Sequence, residues 1–132
     1  MDRRLRAGVG LPLVALAIQA CDRGPCVLTV DPAIEVFITD SVTGEPRAGP
    51  ARGVVEEGTY SDSLQRGKGN YSSDGSIIWI SRAAAHGRVG SYSVRVVAAG
   101  YLDWQRTGVR ALESGYCGIT TVTLHARLVP AP

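Results

Sequence analysis

The residues able to ligate, attack or stack are three cysteines (Cys21, Cys26, Cys117), two histidines (His86, His125) and a handful of aromatics. His86 lies in a glycine-bounded turn. His125 sits beside Thr123 and Arg127 on the polar side of an alternating run, and both settings suit a solvated imidazole. Two cysteines without paired histidine spacing make a poor zinc site. There is no HExxH, no Gly-x-Ser-x-Gly elbow and no glycine loop ending in Lys-Ser/Thr. Asp62, Asn70 and Asp74 could offer oxygens to calcium, but not at EF-hand spacing. Trp104, among Asp103, Gln105 and Arg106, and Tyr71, in a polar stretch, are the aromatics placed to stack on a sugar or touch another ligand. Trp79, inside an apolar run, reads as core, and Tyr101, after Gly100, as a turn anchor. The expectation is a non-enzyme with no catalytic residue, no metal and no cofactor.

Residues 1–20 read as a secretory leader: Arg3, Arg4 and Arg6 precede an uncharged apolar run from Ala7 to Ile18. That run is short and broken by Gly8, Gly10 and Pro12, whereas a transmembrane helix needs about 20 apolar residues. Ile18-Gln19-Ala20-Cys21 resembles the bacterial lipobox, with Gln19 an uncommon choice at its position. The resemblance implies cleavage before Cys21 and a lipid on its thiol, so that acyl chains anchor the protein to a membrane. Ordinary cleavage after Ala20, leaving Cys21 as a thiol, stays open. The expected location is the bacterial cell envelope, lipid-anchored to a membrane and facing the periplasm or the exterior.

The leader holds three of the 14 basic residues and one of the 12 acidic ones, so residues 21–132 carry 11 of each. No basic excess remains to argue for a nucleic-acid partner. With Cys21 taken by lipid, Cys26 and Cys117 remain as a pair, and an oxidising compartment would permit a disulfide between them. On a chain-entropy account, such a long loop would stabilise the fold by up to roughly 4–5 kcal/mol.

From Cys26 onward the apolar period is two. Ile34, Val36 and Ile38 share one strand face, and residues 40–46 (DSVTGEP) form a dense turn signal. Further strands are expected at Arg52–Glu57, Ser76–Arg82, Tyr92–Ala98, Trp104–Leu112 with a bulge near Gly108, and Thr121–Leu128. Ile77-Ile78-Trp79-Ile80, apolar on both parities, reads as a strand at the centre of the core. Ser81–His86 could form a helical turn. Ser61–Ser76 reads as a long polar loop. Together these elements predict an all-β fold of about seven strands, a Greek-key sandwich with open edges that could accept a partner's strand.

Two passages carry a family resemblance. IEVFITDSVTGEP (residues 34–46) resembles the opening strand and turn of carboxypeptidase regulatory-like domains, and GSYSVRVVAAGY (residues 90–101) resembles their later strand and turn. The resemblance implies a transthyretin-like (prealbumin-like) sandwich serving as an accessory module rather than a catalyst. The expected organisation is a leader at 1–20, a tether with the start of the first strand at 21–33, the sandwich at 34–129 and a tail at 130–132. The expected function is a membrane-anchored envelope lipoprotein that binds another envelope protein or has a structural role. The alternative is a carbohydrate-binding module using Trp104 and Tyr71.

Overall fold

The computed structural model describes residues 30–115 and 118–132. The fold is all-β. Its strands are β1 (Pro32–Asp40), β2 (Arg52–Glu57), β3 (Tyr60–Ser63), β4 (Gln65–Arg66), β5 (Gly69–Tyr71), β6 (Ile77–Trp79), β7 (Ser81–His86), β8 (Gly90–Val97), β9 (Trp104–Ala111), β10 (Glu113–Ser114), β11 (Gly118–Ile119) and β12 (Val122–Leu128). One sheet runs β12-β1-β7-β4 and the other β3-β2-β8-β9, while β5-β6 and β10-β11 are separate two-stranded ribbons. Among the described residues no helix is long and apolar enough to cross a membrane.

Alternation fixes the core. Ile34, Val36 and Ile38 of β1 and Leu124, Ala126 and Leu128 of β12 face Val55 of β2, Tyr92, Val94 and Val96 of β8, and Val109 and Ala111 of β9. A strand sends successive side chains to opposite faces, so every second residue meets the other sheet. β9 carries the expected irregularity: its pairing with β8 shifts register between Tyr92 and Val94. Gly108 sits there at φ +67, a conformation that glycine adopts without steric cost.

Three expectations are corrected. Ser61–Ser76 is not a loop: it contributes to β3, β4 and β5 before a turn. Ser81–His86 is the strand β7, not a helical turn, because Ala83 and Ala84 pair with Glu35 and Ile34 of β1 and are buried there. The Ile77–Ile80 run is not central: Ile77 and Ile78 are 45% and 44% exposed. The connectivity also has a feature that alternation does not reveal, since β12 lies parallel to β1, with Ile34 opposite Val122 and Asp40 opposite Leu128.

Candidate interaction surface

β4 and β5 run as one interrupted strand beside β6 and β7. Gln65 and Arg66 pair with Ala83 and Arg82, and Gly69, Asn70 and Tyr71 pair with Trp79, Ile78 and Ile77. Between them the Lys68 carbonyl accepts from both Ile80 N (2.9 Å) and Ser81 N (3.2 Å), so two residues oppose one. Such a bulge bends a ribbon away from its sheet. β1 meanwhile turns away after Ile38, whose N–H is bonded to Ile80 O, and Thr39 bridges to Pro46 instead. Among the described residues no strand of the sandwich lies beside β5-β6, which pairs with itself and forms an arm.

The arm's turn is closed by short polar side chains. Asp74 Oδ1 accepts from Ser76 N (2.9 Å) and from the Ser72 hydroxyl, and Ser72 N donates to Ser76 O (2.9 Å). These bonds, that from Ser72 first, hold the Asp74 pKa down to about 2. Gly69 gives the arm its packing, since a Cβ there would lie 2.6 Å from Ile77 Cγ2 and 3.2 Å from the Trp79 ring. The consequence is apolar side chains in solvent, with Tyr71 81% exposed beside its pair Ile77, and Ile78 exposed on the opposite face of the ribbon. Arg66 lies over the Trp79 ring at 5.3 Å, capping the arm's base. Trp79 is therefore not a core residue in the expected sense. It is half-buried where the arm meets the sandwich.

Beneath the arm's base lies a polar knot that the sequence pattern does not announce. Glu35, only 7% exposed, accepts from Ser81 Oγ at 2.8 Å and pairs with Lys68 Nζ at 3.2 Å, while Lys68 N donates to Ser81 Oγ at 2.8 Å. These residue types could do acyl-transfer chemistry, but Ser81 is fully buried with its hydroxyl engaged on both sides. The knot secures the bulge, and the Ser81 hydroxyl within it is closed off from solvent.

A second network joins the two passages that carry the family resemblance. Tyr101 Oη donates to Asp40 Oδ2 (2.6 Å) and accepts from Arg47 Nε (2.8 Å). Asp40 Oδ1 also accepts from Val42 N (2.7 Å) and Thr43 N (2.9 Å). The Tyr101 bond, then the backbone ones, hold the Asp40 carboxyl down to about 2. Tyr101 is thus the expected turn anchor, and what it anchors is the turn after β1.

The other candidate residues are dispersed. Trp104, the first residue of β9, is half-buried and packed against the core, in the sheet opposite to the one from which Tyr71's arm extends. His125 stacks on Phe37 (ring centroids 5.5 Å apart), and His86 ends β7 across from Pro32. Asp62 accepts from Ala85 N at 2.9 Å, far in sequence and bonding from the arm's turn that holds Asp74. Among the described residues no group of three His, Cys, Asp or Glu side chains converges as metal ligands would. Cys21, Cys26 and Cys117 lie outside the described residues.

The arm had a signal in the sequence: Gly69-Asn70-Tyr71 and Ile77-Ile78-Trp79 flank Ser-Ser-Asp-Gly-Ser, a strand–turn–strand pattern. Among the described residues the long free edges are β9 and β12. β9 is interrupted by its bulge and carries Arg106 and Arg110, features that discourage edge pairing, whereas β12 is regular over seven residues. No family model and no curated protein matches the chain, so the meaning of these surfaces rests on their geometry.

Proposed function

We propose that the chain is a membrane-anchored lipoprotein of the bacterial envelope whose β-sandwich is a non-catalytic interaction module, with the β5-β6 arm as the surface that meets its partner. One observation carries this reading: a ribbon on which directly paired Tyr71 and Ile77 form one exposed apolar face stands off the sandwich. Contiguous exposed apolar surface in a folded domain is a mark of association.

The placement of the arm fits an anchor at Cys21. The tether from Cys21 to Val30 reaches at most about 30 Å and enters β1 at Pro32. The arm leaves the sheet beyond Ile38, at the other end of that strand. An anchored chain would therefore present the arm away from the bilayer, toward a protein in the envelope space. The Tyr101–Asp40–Arg47 network supports kinship with carboxypeptidase regulatory-like domains, because it gives their two signature passages a shared physical task. A Cys26–Cys117 disulfide would add a tie at the anchored end, where Thr121 Oγ1 already donates to Pro32 O at 2.7 Å. The glycan reading has no comparable platform, since Trp104 and Tyr71 belong to opposite sides of the sandwich.

A photo-crosslinking residue at position 71, compared with one at 104, tests the proposal in native membranes. Adducts from position 71 and none from position 104 are expected. An absence of adducts at 71 would overturn the role given to the arm. Mass spectrometry of the mature amino terminus tests the lipid and the disulfide together.

A further inference from the structure

Charge is balanced across residues 21–132, so a local cluster of one sign needs a physical account. Arg52 opens β2, Arg66 ends β4 and Arg82 is the second residue of β7. Arg66 and Arg82 are set directly opposite each other. Like charges at facing positions destabilise a sheet. The Arg82 guanidinium is fixed by carbonyls: Nε donates to Ala48 O (2.8 Å), Nη2 to Gly49 O (2.9 Å) and Nη1 to Leu64 O (3.4 Å). A guanidinium has more N–H donors than these three bonds use. Burial first, then the charges of Arg66 and Arg52, push the Arg82 pKa below its ordinary value.

All three line one cleft of about 460 Å³ at the open edge of the sandwich, bordered by Gly49, Ser63 and Gln65, and its lining holds no carboxylate. Arg47, Lys68, Arg88 and Arg95 each have an acidic partner. Among the described residues Arg52, Arg66 and Arg82 have none, and what sets them apart from Arg106, Arg110 and Arg127, which also lack one, is the shared cleft.

We propose that this cleft binds a phosphate monoester, with Arg82 as the fixed donor and exposed Arg52 and Arg66 closing on the oxyanion. Guanidinium forks match phosphoryl oxygens in bidentate geometry. A phosphate monoester carries a charge of roughly −1.5 to −2 on three acceptor oxygens, whereas a carboxylate brings less charge and fewer acceptors for three arginines. The recognised chemistry is shared by soluble phosphates and by a lipid phosphomonoester headgroup.

The test titrates the full chain, at constant ionic strength, with inorganic phosphate, glucose 1-phosphate, acetate, and phosphatidylcholine vesicles with or without phosphatidic acid. Thermal midpoint is read for the soluble ions and co-sedimentation for the vesicles. The proposal expects the phosphates, but not acetate, to raise the midpoint, or the phosphatidic acid vesicles alone to bind. Which arm responds identifies the source of the phosphate. The R52Q/R66Q variant should weaken the response about tenfold or more. Its midpoint without phosphate should equal or exceed that of the parent, because facing charges have been relieved. No response in any phosphate arm, or the same response in R52Q/R66Q, overturns the proposal.

Discussion

Adjacent stretches of this chain meet opposite fates. Ile77 to Ile80 is an unbroken apolar run, and its first two residues stand nearly half in solvent, while Ala83 and Ala84, with little side chain to bury, lie inside. The difference comes from the neighbours each stretch finds. β7 runs beside β1, where Ile34 already fills the space between the sheets and a small Ala84 opposite it completes the packing. Residues 77–79 lie beyond the point where β1 turns off, so their backbone pairs with 69–71. Trp79, at the arm's base, packs against the core, while the side chains of Ile77 and Ile78 find no second sheet. Burial is decided by which strands run alongside, and apolarity alone does not supply them.

The contrast can be broken by truncating one isoleucine from each region. Ile34→Ala should cost about 2–5 kcal/mol of unfolding free energy, whereas Ile78→Ala should stay within about 0.5 kcal/mol, both read by denaturant titration. Similar losses would mean that the arm is packed as the core is.

A smaller effect probes the junction between strands. Tyr101→Phe removes the hydroxyl between Asp40 and Arg47 and should cost about 1–2 kcal/mol at neutral pH. That loss should depend on acid. The Asp40 carboxyl is depressed from 3.8 to about 2 in the folded state. Its contribution is therefore present above pH 3.8 and lost as pH falls through 2. The gap between parent and Tyr101→Phe should accordingly narrow over that interval in urea melts at graded pH. A constant gap would show that the hydroxyl does not act through the Asp40 charge.

The mildest test concerns the arm's closure. Asp74→Ala should speed amide exchange across residues 69–79 by about tenfold or more while leaving the global midpoint unchanged, as expected when a local unit opens by itself. If exchange in β7 rose equally, the arm and the sheet would be one cooperative unit, and the distinction between them would fail.

Much of the body was legible because alternation has a direct physical cause. Tyr92, Val94 and Val96, and likewise Leu124, Ala126 and Leu128, are buried as a period of two requires. The turn from Asp40 and the bulge at Gly108 were readable because Asp and Gly have local backbone chemistry. The arm was obscured because Ile77–Ile80 has the same pattern whether or not a second sheet covers it. β7 was obscured because three alanines favour a helix, and pairing with β1 and β4 overrides that preference. The arginine cleft was hidden for another reason: positions 52, 66 and 82 converge through sheet register and have no spacing that a linear reading would notice. Of the residues singled out beforehand, Tyr71 lies on the proposed surface and Trp104 away from it.

The parallel pairing of β1 with β12 has a kinetic meaning. Pro32 and Thr121, hydrogen-bonded in the native fold, are 89 residues apart. Contacts of such separation slow folding, because the intervening chain must be confined before they are rewarded. Of the described strands β1 is the first to be synthesised, and its parallel neighbour β12 is the last. Until Leu128 has been made, one flank of the central strand of that sheet is an unpaired edge, the form in which a nascent chain is most open to pairing with the wrong strand.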